Sequence, residues 1–147
     1  MIWTPHITVA AVIAKQERFL LVEEVTSQGQ FVYNQPAGHL EANESLVEAV
    51  IRETLEESAW HFTPDAVTGI YHYTSPHNEV TYLRVCFCGS VKNFEAERIL
   101  DTGILRSKWL SRDEIAHSDK LRSPMVLRCI DDYLAGNRFS LDLLTHL

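Results

Sequence analysis

A chain of 147 residues, 46% hydrophobic and 22% charged, is long enough to bury a core and has the composition of an ordinary soluble globular protein. Its formal net charge of −7 argues against general nucleic-acid binding, which needs a basic surface. With no apolar run of about 18 residues and no leader pattern, no membrane span is expected and the reading is a cytoplasmic protein.

No linker, repeat or composition break divides the chain, so one domain over residues 1–147 is expected. Ile7 to Ala14 is a dense run of β-branched and small residues, the pattern of a strand covered on both faces. Lys15 to Arg18 makes a polar turn, and Phe19 to Val25 returns as the second strand of a hairpin. Phe31 to Asn34 is short and extended and leads into a turn at Pro36. Ser45 with Glu48 three residues on is a capping box, which starts a helix at Leu46. Leu46, Val47, Val50, Ile51 and Thr54 make its inner face, with the acidic residues along the edge. Ala66 to Thr74 and Val80 to Val91 are two further strands, followed by a polar loop from Lys92 to Gly103 and a strand from Ile104 to Leu110. Ser111 caps a short helix, and Ser123-Pro124 opens a last helix that stops at Gly136-Asn137. Strands around a central helix, with a terminal helix, give an α/β/α sandwich with a central mixed β-sheet. Cys86, Cys88 and Cys129 lack CxxC spacing and are expected as buried, reduced residues.

The stretch from Gly38 to Trp60 carries the chemistry. Glu53, Glu56 and Glu57 stand at i, i+3 and i+4, which places their carboxylates within one narrow arc of a helix. Two of them fall in the last turn, where the helix dipole disfavours negative charge. Hard oxygen ligands on one face suit Mg²⁺, with Mn²⁺ as the alternative. A solvated acidic face is the competing reading. Against it stand the Pro36-Ala37-Gly38 turn, which can bring a backbone carbonyl to a ligand, and Arg52, which can orient its neighbours by bidentate pairing.

These residues also resemble a known family. Gly38, then Glu44, then Arg52-Glu53-Thr54-Leu55-Glu56-Glu57 reproduce the spacing of the Nudix box, here residues 38–60. The departures are Thr54, where an aliphatic residue is usual, and Ala59, where the family has Gly. PHITVAAVI, NQPAGHLEANESLVEA and LRSP are similar to stretches of the family's broad-specificity nucleotide phosphatases, so the likeness runs from Pro5 to about Arg138. It implies the same α/β/α sandwich. It also implies Glu53, Glu56 and Glu57 as metal ligands with the Gly38 carbonyl, and Arg52 and Glu44 as residues that hold those ligands in place.

The implied activity is Mg²⁺-dependent hydrolysis of nucleoside tri- and diphosphates, extending to small pyrophosphate esters such as thiamine-pathway pyrophosphates. A nucleoside diphosphate-sugar or dinucleoside polyphosphate substrate is the second reading, and a non-catalytic nucleotide sensor the third. A monomer is expected rather than a dimer. Glu53 is the candidate general base, with Glu97 and Asp101 on the polar loop as alternatives to it or as plain solvated acids. Tyr33 is a candidate stacking platform for a base, or a packing residue. Arg84 and Arg98 are candidate phosphate contacts, or surface residues. Trp3 and Trp109 are read as core aromatics, and His39 as a turn or packing residue.

Overall fold

Alternation along the first apolar run sets the architecture. In the computed structural model, which describes residues 1–147, β1 (His6–Lys15) has Val9 to Ile13 all buried. Val9, Ala11 and Ile13 enter one core, while Ala10 and Val12 enter another, because successive side chains leave a strand on opposite faces. A strand with no polar face must be covered twice. Helix α1 (Leu46–Ser58) covers one side, packing Ala49 and Val50 with Leu20, Val67, Val85 and Phe87. On the other side α2 (Arg112–Ala116) and α3 (Met125–Leu134) bring Ile115, Val126, Cys129 and Ile130 against Leu21, Cys86 and Cys88. The result is the α/β/α sandwich that the element order implies, with all three cysteines buried and unpaired.

The sheet is mixed and splayed. β2 (Arg18–Val25) follows β1 through a tight turn, with Gln16 and Glu17 at φ 52 and 64. Pairing between the two strands is confined to Ala14–Phe19 and Lys15–Arg18. Beyond that point β1 takes β4 (Ala37–His39) as an antiparallel neighbour and β6 (Thr81–Lys92) as a parallel one. β5 (His61–Thr74) lies outside β6. β2 takes β3 (Phe31–Asn34) and β7 (Ile104–Ser111). Asn34-Gln35-Pro36 therefore crosses from one half of the sheet to the other, and the three-residue β4 follows it directly.

Three expectations change. The chain after Pro36 is a strand, β4, and it contains His39. β5 begins at His61 rather than Ala66; it accommodates Pro64 because it is an outer strand with a register shift at that point. Trp3 is 67% exposed: it precedes β1 and joins neither core, whereas Trp109 packs on the α1 side beside Trp60.

Candidate active site

The site is built where α1 meets β4. Ser45 caps the helix: its hydroxyl accepts from the Glu48 N–H and its own N–H donates to the Glu48 carboxylate, each at 3.0 Å. At the other end Ala59 is left-handed, φ 64. The polar loop 92–103 then covers the helix terminus. Glu95 N–H donates to Ala59 O and Asp101 N–H to Glu56 O, both at 2.9 Å, so carbonyls that would otherwise be orphaned are satisfied.

Ala49 and Val50 pack into the core, and the same side of the helix continues with Glu53, Thr54, Glu57 and Ser58, all buried. The acidic residues are thus not simply an edge. Glu53 and Glu57 are each only 8% exposed, while the Glu56 side chain keeps 37%. Leu46, Val47 and Ile51, expected inside, are half-buried. Gly38 explains how Glu53 fits, since a Cβ on Gly38 would overlap its carboxylate. A side chain at this position would force the Glu53 carboxylate to swing away from β4.

Arg52 braces the cluster. Its Nε and Nη2 bind Glu44 in bidentate fashion at 3.0 and 2.7 Å. Nη1 donates to Glu53 at 2.8 Å and to Glu56 at 3.2 Å, and Nη2 also reaches the His39 carbonyl at 3.1 Å. Glu41 joins at 3.5 Å. The hydrogen bonds from Arg52 hold the Glu44 carboxyl below the usual range, and the Glu44 contact chiefly raises the Arg52 guanidinium.

Arg52 gives Glu57 no such relief and gives Glu53 less than burial takes away. Burial pushes Glu57 up to about 9, against a hydrogen bond from Ala37 N–H, with the charges of Glu53, Glu24 and Asp101 adding to the rise. Burial pushes Glu53 up to about 6 despite its contact with Arg52. Acidic charge here exceeds what one guanidinium neutralises, and the donors are hard oxygens that suit a divalent cation. As the side chains stand, no three of them close on a common point. Arg52 draws Glu53 and Glu56 toward itself, while Glu57 is tied to Ala37.

The other candidates divide. Asp101 is anchored through its backbone to α1, and its charge acts on Glu53 and Glu57. Glu97 is exposed on the same loop. Arg98 pairs with Glu95 at 3.2 Å, which in turn meets His61, so it braces the loop. Tyr33 donates its hydroxyl to Glu23 at 3.3 Å, with Phe31 edge-on at 5.4 Å. Arg84 is neither exposed nor paired with a carboxylate: it is 5% exposed and donates to Gln35 Oε1 at 2.9 Å.

Several neighbours were not foreseen. Glu23 is wholly buried yet ion-paired to Arg106 at 2.6 Å and Lys108 at 2.7 Å. The segment carrying LRSP runs beside β3, with Tyr33 N–H donating to Lys120 O and Arg122 N–H to Tyr33 O at 2.8 Å. Arg122 then reaches Glu24 at 2.7 Å. Two acids ending an otherwise apolar strand were the available signal for Glu23 and Glu24.

A family model described as the NUDIX domain matches residues 4–128. The chain belongs to the Nudix family. Phosphatase NudJ of Escherichia coli strain K12 is 37% identical over 140 residues, covering 95% of this chain and 90% of that protein. A NUDIX hydrolase from Nitrosomonas europaea superposes with a TM-score of 0.96 at 49% identity, covering 98% of both chains. The Nudix domain of Shewanella oneidensis NrtR, solved with ADP ribose, shares the fold at a TM-score of 0.75 and 18% identity, over 92% of this chain and 90% of that one. This Nudix protein is a phosphohydrolase of NudJ type, and Nudix hydrolases generally use divalent metal ions. No helix in it is long and apolar enough to cross a membrane.

Proposed function

We propose that this Nudix enzyme hydrolyses nucleoside tri- and diphosphates, and small pyrophosphate esters, with Mg²⁺ as its cation. The observation that carries the reading is the charge around α1. Glu44, Glu53, Glu56 and Glu57 gather about the single guanidinium of Arg52, and Glu53 and Glu57 are buried. Glu53, Glu56, Glu57 and the Gly38 carbonyl are the groups that would hold Mg²⁺, and Mn²⁺ would suit the same donors. When bound, the cation supplies neutralisation of phosphate charge and an acidified water.

The chain's own residues do the rest. Arg52 keeps Glu53 and Glu56 oriented, and Glu44 keeps Arg52 oriented. Glu53 is the candidate base that takes the proton of the attacking water. Asp101 is the alternative, because its backbone is fastened to the same end of α1. Glu97 remains a weaker candidate, since it has no hydrogen bond to the cluster. Tyr33 offers a ring for the nucleobase, and loose base preference follows because aromatic faces accept any base.

The test is release of phosphate and pyrophosphate from a panel of nucleotides, with Mg²⁺ and with chelator. Release from several tri- and diphosphates that stops in chelator supports the reading. Turnover confined to a nucleoside diphosphate sugar or dinucleoside polyphosphate, or nucleotide binding with no turnover, overturns it.

A further inference from the structure

Arg84 sits on β6 facing the α3 side of the sheet, with Thr8 of β1 and Tyr71 of β5 as its register partners. His39 of β4 pairs with Thr8 in turn. Residues paired in register share a face, so His39, Thr8, Arg84 and Tyr71 form one row across four strands. The cations of Arg52, Arg106, Arg112 and Arg122 each have a carboxylate partner. Arg84 is more deeply buried than any of these and has none. Its single hydrogen bond goes from Nη1 to the neutral Gln35 amide. Its Nε is sealed from solvent without a partner, as is the Thr8 hydroxyl beside it. Nη2 is also unbonded but is not sealed, so the guanidinium tip is the part that remains open.

A buried cation without an anion is expensive, and a planar fork with free donors is the shape that grips phosphate. Gln35 does not relax this arrangement; it fixes it. Its amide nitrogen donates to the Ala11 carbonyl at 3.1 Å, which aims its oxygen at Arg84. Thr8 and Arg84 lie one and two strands from β4, which places the Arg84 backbone about 10 Å from Gly38 at the usual strand spacing. β4 pairs only with β1, so its outer edge has no strand partner and faces the gap between the two halves of the sheet.

We propose that Arg84, with Thr8, forms an anion subsite for a phosphate group of the substrate other than the one attacked beside α1. The inference rests on the reading above that the substrate is a phosphorus anhydride, and it assigns the far phosphate to the opposite face of β4. Gln35 is the positioning residue that holds Arg84 in register.

The experiment measures binding of inorganic pyrophosphate in excess chelator, by calorimetry and by the shift in melting temperature. It uses the wild type, Arg84→Met and Arg84→Lys. The wild type binds, Arg84→Met binds at least ten-fold more weakly, and Arg84→Lys falls between them because a point charge replaces the fork. Arg84→Met melts no lower than the wild type, since a buried unpaired charge has been removed. Should it fail to fold, the Arg84→Lys comparison still decides. With nucleotide substrate and Mg²⁺, KM rises in Arg84→Lys more than kcat falls. Wild-type pyrophosphate affinity in Arg84→Met, or in Arg84→Lys if the first variant does not fold, overturns the proposal. Absence of turnover in the wild type with pyrophosphate binding intact would instead overturn the nucleotide reading and leave the subsite standing.

Discussion

The backbone N–H of Ala37 donates to Oε1 of Glu57 at 2.9 Å, tying the strand after Pro36 to the last turn of α1. The bond explains how a carboxylate can lie buried there: one donor meets one oxygen, and the other oxygen is left for a ligand. Glu53 lies against Gly38 on the same strand, so β4 presents both acids.

Removing charge at this point should separate fold from function. Glu57→Gln keeps an oxygen for Ala37 N–H and removes a carboxyl that burial pushes up to about 9. The unfolded chain ionises that group near pH 7 and the fold does not, so the variant's melting temperature should equal or exceed that of the wild type. Turnover should fall at least about 100-fold, because an amide is a poor ligand for a hard cation. Glu56→Gln should behave likewise. Wild-type turnover in both variants would remove the metal assignment.

Arg52→Lys is expected to be far from conservative. A lysine cannot hold both oxygens of Glu44 while also reaching Glu53, Glu56 and the His39 carbonyl. The variant should lose about 1–3 kcal/mol of stability by leaving acids unpaired, together with most of its turnover. Unfolding in denaturant measures the first and phosphate release the second; an unchanged midpoint with full activity would show that the brace is dispensable.

Acid should weaken the fold through Glu23. Burial raises its carboxyl, but hydrogen bonds and charge from Lys108 and Arg106 outweigh that and leave it lowered from the usual value of 4.5. The native state therefore binds its proton less readily than the unfolded chain does. The stability it contributes is fully present above about pH 4.5 and is lost as pH falls below that. Glu23→Gln should melt lower than the wild type at pH 7, and the gap should close toward pH 3. A gap of constant size across that range would show that the ion pairs with Arg106 and Lys108 contribute nothing.

Ala59→Gly should stabilise the protein modestly. The left-handed conformation at φ 64 costs a residue with a Cβ about 1–2 kcal/mol. Ala59 is also buried, so losing its methyl returns about 0.8 kcal/mol of that gain. The net rise in melting temperature should be about 2 °C. A lower melting temperature would mean that packing of the methyl outweighs the backbone strain.

Local patterns determined a good deal without any tertiary information. The capping box at Ser45 and Glu48, the spacing of Glu53, Glu56 and Glu57 and the hairpin after β1 all depend on residues a few positions apart. Near-neighbour geometry is what a linear sequence states directly. Only the tertiary structure decided which acids are buried, because that depends on β4 lying against α1, and β4 is too short to show a period of its own. The same holds for Glu23 meeting Arg106, for Arg122 reaching Glu24, and for Arg84 losing its expected place at the surface. Each is a contact across strand registers between distant residues, and register is set by how the whole sheet packs rather than by any local stretch.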